Sequence, residues 1–142
     1  MTRVLLDTNV ILDFLLDREP FAEAATQLWQ ANEQGRFEGY ISAITPINVF
    51  YIARKLKGPE TARRIMAGLL AACRICRLDV SVLQLALTLQ IDDYEDAVQC
   101  VSATTNQLDA IVTRDVKDYA GVALPVYSPV DFLKQLIPHT EQ

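Results

Sequence analysis

The sequence predicts an α/β fold built on a parallel five-stranded sheet with helices covering both faces. Three observations carry that expectation. Short apolar runs such as Val4 to Leu6 and Ala110 to Thr113 recur along the chain, segments with apolar residues at helical spacing separate them, and Asp, Ser or Thr stands where those segments begin. Strands that are apolar on both faces belong to sheets buried on both faces, which are the parallel ones.

The first strand is Val4 to Leu6, closed by Asp7. A helix follows over Asn9 to Leu16, and a second over Phe21 to Gln34 has Phe21, Ala24, Ala25, Leu28 and Trp29 on one stripe, with Gly35 as its stop. Thr26 and Trp29 lie on or beside that apolar stripe, so Trp29 is expected in the core or a partner groove. Phe37 to Ile41 is the second strand. Thr45-Pro46 reads as an N-cap followed by proline at the first helical position, opening a helix to about Leu56. Gly58-Pro59 breaks it, and Glu60 to Ala72 is helical again. Arg74 to Leu78 is the third strand, and Asp79 leads a helix over Ser81 to Gln90. Asp92 or Asp93 caps the next helix, which runs to about Thr105. Ala110 to Thr113 is the fourth strand, Arg114 to Tyr119 a loop or short helical turn, and Leu124 to Tyr127 the fifth strand. Ser128-Pro129 repeats the cap-plus-proline signal and starts a terminal helix to about Ile137.

A chain of 142 residues is one domain by size, with 51% apolar and 22% charged residues, ordinary values for a globular protein. Eighteen acids against 13 Lys and Arg give a net charge of -5, which argues against a protein that coats nucleic acid. No apolar run reaches the roughly 20 residues of a membrane span, and Asp7 and Asp13 interrupt the N-terminus where a signal peptide would be apolar. The expectation is a cytoplasmic protein with no membrane partner. Cys73, Cys76 and Cys100 fit a reducing compartment. Cys73-Arg74-Ile75-Cys76 has C-x-x-C spacing, but no second pair exists and the only histidine is His139, so a zinc site lacks ligands; small buried side chains are expected instead.

The informative feature is acidic. Asp7 ends the first strand, and Asp115 follows the fourth in IVTRDVKDY. Parallel strands share a direction, so both carboxylates belong at the same edge of the sheet, where ligands of open α/β folds bind. Asp96, in IDDYEDAVQC, sits in the first turn of its helix and joins them if that N-terminus points the same way. Each aspartate taken alone also suits a helix cap. Together, ionised carboxylates repel unless a cation lies among them, and oxygen donors without histidine or thiolate suit Mg²⁺ or Mn²⁺. Such an ion screens phosphate charge and acidifies a water, the chemistry of phosphodiester hydrolysis.

The stretches LLDTNVILDFLL, DDYEDAVQCVSA and IVTRDVKDY, in this order and spacing, resemble a PIN domain of the VapC-like type. The resemblance extends over nearly the whole chain, including SPVDFL. It implies a three-layer α/β/α sandwich, a metal-dependent ribonuclease and, often, the toxin of a toxin–antitoxin pair, with RNA as substrate, an antitoxin protein as partner and a homodimer as assembly. By position, Asp7, Asp96 and Asp115 match the family's acidic residues, Thr113 its hydroxyl residue and Asp118 its further acid. One departure stands in SAITPINVFYIARK: Asn48 occupies the place where the family usually carries glutamate. An asparagine offers a carbonyl oxygen without charge, or simply supports the helix's first turn, and Glu95 or Asp93 is placed to supply the missing charge. Asn9 and Thr8 set polar groups beside Asp7.

Seven of the 13 basic residues, Arg54, Lys55, Lys57, Arg63, Arg64, Arg74 and Arg77, share a window with one acid, Glu60. They read either as a phosphate-binding face or as a solvated one. Arg114, next to Asp115, is the expected phosphate contact beside the metal. Two other readings compete with a nuclease. A haloacid-dehalogenase-like phosphohydrolase would use Asp7 as nucleophile, but Asn9 stands where its second aspartate belongs. A non-catalytic module binding RNA or protein is favoured only by Asn48.

Overall fold

The structure is a computed structural model that describes residues 1–136. Its five strands are β1 (Arg3–Leu6), β2 (Glu38–Ser42), β3 (Arg74–Cys76), β4 (Ala110–Val112) and β5 (Val126–Tyr127). Seven helices accompany them: α1 (Thr8–Leu15), α2 (Ala22–Glu33), α3 (Thr45–Lys57), α4 (Pro59–Ala72), α5 (Val80–Ala86), α6 (Tyr94–Thr105) and α7 (Pro129–Gln135). The sheet runs β3-β2-β1-β4-β5 and every pairing is parallel. From β1 the chain winds outward to β2 and β3, then crosses to β4 on the other side. The switch point therefore lies between β1 and β4, where the carboxyl ends leave a crevice.

Alternate strand residues point to opposite faces, and the core divides accordingly. Val4, Leu6, Ala110 and Val112 pack with Ile11 of α1, Leu28 of α2, Leu69 of α4 and Phe132 of α7. Leu5, Tyr40 and Ile111 pack on the other face with Cys100 and Ala103 of α6. Each Val, Leu, Ile or Phe among them, once fully buried, contributes about 1.5–3 kcal/mol. Val82 and Ala86 seat α5 on Ala97, Val98 and Val101 of α6. Three layers result, as expected. Trp29 is buried and stacks on Phe14 with ring centroids 4.8 Å apart. All three cysteines are buried and free, and burial pushes the Cys73 and Cys76 thiols up to about 12, which keeps them protonated.

Several boundaries differ from expectation for local reasons. Thr45 is not the cap of α3: Ile44 holds that position, and the Thr45 hydroxyl turns inward to the Thr8 hydroxyl at 2.8 Å. Helix α5 stops at Ala86, not Gln90, where the Thr88 hydroxyl donates to the Leu85 carbonyl at 2.7 Å and Leu89 and Ile91 turn into the core. Strand β3 ends at Cys76 because its partner β2 ends at Ser42. Strand β5 begins only after Pro125, which has no N–H to donate. Gly58, at φ 87°, makes the corner between α3 and α4 that a side chain would strain. The terminal helix is described to Gln135; Ile137 and His139 lie outside the described residues. Among the described residues, no helix is long and apolar enough to cross a membrane.

Candidate active site

An open cleft of about 530 Å³ lies over the switch point, and six acids line it: Asp7, Asp93, Glu95, Asp96, Asp115 and Asp118. Each arrives on its own piece of backbone. Asp7 follows β1, and its N–H is held by the Val112 carbonyl of β4 at 3.0 Å. Its side chain makes no cap bond to α1, although it occupies the cap position. Instead the carboxylate, only 4% exposed, accepts three side-chain hydrogen bonds. Gln99 Nε2 donates to Oδ1 at 2.9 Å, while Thr113 Oγ1 at 2.7 Å and Tyr119 Oη at 3.2 Å donate to Oδ2. Charge-assisted bonds of this kind fix a carboxylate's direction as well as its charge.

Thr113 does double duty, since its Oγ1 also accepts the Asp115 N–H at 3.0 Å. Asn9 Nδ2 donates to Asp115 Oδ2 at 3.0 Å, and Asn9 Oδ1 accepts the Arg114 N–H at 3.4 Å. The start of α1 thus clamps the loop after β4. Asp93 is the cap of α6: its carboxylate accepts the Asp96 N–H at 3.0 Å. This fixes Asp96 in the first turn, facing the cleft, where Asp96 Oδ1 meets Tyr119 Oη at 3.3 Å. Asp118 lies on the 3₁₀ turn Val116–Tyr119, which carries it to the cleft and Tyr119 inward.

Asn48 lines the cleft from α3 and is anchored through its amide nitrogen. Its Nδ2 donates to Glu95 Oε2 at 3.0 Å, and the Thr8 hydroxyl reaches the same oxygen at 3.0 Å. A carboxylate from α6 therefore stands beside the place where the family resemblance would put one from α3. Arg114 turns away from the acids of the cleft. Its guanidinium pairs with buried Asp13 at 3.5 Å and lies over the Phe21 ring at 4.2 Å. Burial pushes the Asp13 carboxyl up, and Arg114 and then Arg18 oppose that rise. Gln99 and Tyr119 were not among the site residues expected from sequence. Both lie within the acidic stretches, Gln99 in IDDYEDAVQC and Tyr119 closing IVTRDVKDY, but neither is an acid, and the signal available was a glutamine on the apolar face of a helix.

Electrostatics mark Asp96 as the strained member. Burial first, then the charges of Asp7, Asp93 and Asp118, push its carboxyl up to about 7, against a single hydrogen bond from Tyr119. Tyr119 moves well above the ordinary phenol range for the same reasons, burial first, so it stays a donor. This is the field a divalent cation would relieve. The donors are all oxygen, as Mg²⁺ and Mn²⁺ require. Among the described residues, no three Asp, Glu, Cys or His side chains form a ready ligand cluster. That arrangement fits an ion that takes one or two carboxylates and keeps most of its water. A larger cavity of about 650 Å³, between α2 and α7, shares no residue with the acidic cleft.

Fold and cleft together define an α/β protein whose switch point is lined with carboxylates. Residues 3–117 match the PIN domain family, and the chain belongs to it. Solved structures agree in fold. A toxin–antitoxin complex from Klebsiella pneumoniae is 26% identical with a TM-score of 0.67, covering 89% of this chain and 97% of that one. DNA-bound VapBC from Salmonella typhimurium is 17% identical with a TM-score of 0.68, covering 91% and 99%. Mycobacterium tuberculosis VapC20, a sarcin-ricin loop cleaving toxin, is 12% identical with a TM-score of 0.67, covering 84% and 96%. A comparison with curated protein sequences finds no match.

Proposed function

We propose that this protein is a divalent-metal-dependent RNA endonuclease that hydrolyses phosphodiester bonds, and that it serves as the toxin of a toxin–antitoxin pair. The observation that carries the reading is the gathering of Asp7, Asp96 and Asp115, with Asp118 beside them, around one cleft at the switch point. Family membership and the toxin complexes among the similar folds point the same way.

Mg²⁺ or Mn²⁺, taken directly by one or two of Asp7, Asp96 and Asp115 and through water by the rest, would supply the positive charge that a phosphodiester needs and acidify a water. The chain's own residues prepare the place. Thr113, Gln99 and Tyr119 aim Asp7, Asn9 aims Asp115, and the Asp93 cap sets Asp96 toward the cleft. Glu95, tied to Thr8 and Asn48, adds charge at the wall formed by α3. Phosphates along the RNA backbone fit the exposed cations of α3 and α4, Arg54, Lys55, Lys57, Arg63 and Arg64. Arg114 would have to leave Asp13 to join them. The expected assembly is a cytoplasmic homodimer that an antitoxin protein holds in check.

Cleavage of a mixed structured RNA with Mg²⁺, with Mn²⁺ and with EDTA tests the reading, with Asp7→Asn run alongside to exclude a contaminating nuclease. Metal-dependent cutting that the variant lacks is the expected result. Cutting that survives EDTA, or that Asp7→Asn retains, would sink it. A bound but uncut RNA would favour the non-catalytic module instead.

A further inference from the structure

We infer that Tyr119 and Gln99 are positioning residues that fix the separation and aim of Asp7 and Asp96, and through them set how tightly the cleft takes a divalent cation. The inference rests on the metal-dependent reading above. It concerns two neutral side chains that lie within the stretches carrying the family resemblance, Gln99 in DDYEDAVQCVSA and Tyr119 at the end of IVTRDVKDY, beside the acids they hold.

Tyr119 Oη is where three elements meet. It comes from the 3₁₀ turn after β4 and stands 3.2 Å from Asp7 Oδ2, at the end of β1, and 3.3 Å from Asp96 Oδ1, on α6. Two like-charged groups on separate elements push apart unless a donor lies between them. The phenol has one proton, shared between Asp7 Oδ2 at 3.2 Å and Asp96 Oδ1 at 3.3 Å, so a single donor ties the two carboxylates to each other. Gln99 Nε2 donates to Asp7 Oδ1 at 2.9 Å and lies 3.4 Å from Tyr119 Oη, which orders the chain of donors from Gln99 to Tyr119 to carboxylate.

Packing does not account for either polar group. Tyr119 is 2% exposed and sits among Leu5, Cys100, Leu108 and Ile111, where a phenylalanine ring would fill the same space. Gln99 is fully buried and its Oε1 has no hydrogen-bond partner. An unpaired buried carbonyl is unfavourable, and a methionine would occupy the site without that penalty. What the glutamine supplies is its donor, and the donor is spent on Asp7. Outer groups that orient metal-binding carboxylates characteristically control the affinity of the ion.

The test is calorimetric titration of Mn²⁺ into the metal-free full chain, without RNA, for wild type, Tyr119→Phe and Gln99→Met, followed by steady-state RNA cleavage at saturating Mn²⁺. Both variants should keep the wild-type circular dichroism and bind Mn²⁺ about 10-fold or more weakly, with KM for RNA unchanged. The two residues lie on different elements, so loosening of the 3₁₀ turn in one variant leaves the other to decide. Wild-type Mn²⁺ affinity in both variants overturns the inference and leaves the nuclease reading standing. A wild-type protein that takes up no Mn²⁺ removes the metal-dependent reading and this inference with it.

Discussion

Asp96 sets the energetics of the cleft at the scale of single residues. Its folded carboxyl sits at about 7, whereas an unfolded aspartate titrates near 3.9. A raised folded value means that folding favours the protonated form. That stabilisation is complete below about pH 4 and is lost as pH rises through about 7. Asp96→Asn cannot ionise, so the metal-free variant should melt above wild type at pH 8, with a margin that shrinks toward pH 4. Because Asp96 is half-exposed, the margin is only a fraction of the full value of about 1.4 kcal/mol per pK unit. Thermal melts at the two pH values check this, and equal margins would refute it; RNA cleavage should vanish in the same variant. Arg114 behaves in the opposite sense. Arg114→Ala leaves Asp13, 2% exposed, with Arg18 as its remaining ion-pair partner, and should lower stability by about 1–2 kcal/mol in denaturant unfolding. Asp7, Asp96 and Asp115 were legible in the sequence as members of one cleft because strand ends and a helix cap determine where a backbone points, whereas Asp118 entered only through the family resemblance. The aim of Arg114 was not, since a long side chain after a strand end chooses its partner from elements far away in sequence.

At the scale of elements, three helix starts converge. Thr8 opens α1, Thr45 opens α3, and Glu95 lies in the first turn of α6; Thr8 joins the Thr45 hydroxyl to the Glu95 carboxylate. Helix N-termini favour negative charge, which offsets part of the repulsion among the acids. Asn48 belongs to this junction as a donor, so Asn48→Asp would set a second carboxylate against Glu95 Oε2, 3.0 Å from the present amide. The metal-free Tm should fall, by the equivalent of about 1 kcal/mol or more, and added Mn²⁺ should recover part of it. An unchanged metal-free Tm would show that Glu95 does not depend on that hydrogen bond. A comparable junction holds the far side of the sheet. Asn32 accepts the buried Gly39 N–H at 2.9 Å and donates to the Ala72 carbonyl at 3.1 Å, and a Cβ at Gly39 would meet Asn32 Oδ1 at 3.0 Å. Asn32→Ala should cost about 1–3 kcal/mol by equilibrium unfolding, because it strands those groups. Strands, helix order and the Asp79 and Ser128 caps could be read from residue pattern, and the α6 cap narrowed to Asp92 or Asp93, since each depends on neighbours within one turn. The Thr45 cap could not, because its hydroxyl is claimed by Thr8, 37 residues away.

For the whole molecule, the decisive fact is that a chain of net charge -5 gathers six acids over the switch point of its sheet. Such a fold carries a standing repulsion in its metal-free state, and anything that binds there only when the chain is folded must stabilise the whole. At free Mn²⁺ of about 100 times its Kd, the gain is about 2.7 kcal/mol. For a domain of this size that corresponds to a rise in Tm of roughly 5–15 °C. The same argument gives the rise a pH dependence. With Asp96 titrating near 7, protons compete with the ion below that value, so the Mn²⁺-induced shift should be large at pH 8 and small at pH 5. Differential scanning calorimetry with Mn²⁺, with Mg²⁺ and with EDTA measures it directly. EDTA should return the Tm to its metal-free value, and Asp7→Asn should abolish most of the shift, because it removes the carboxylate that Gln99, Thr113 and Tyr119 are arranged to hold. A Tm indifferent to both metals at pH 8 would mean that the carboxylates are balanced by the helix starts and hydrogen bonds alone. The crevice would then be acidic for a reason other than binding an ion.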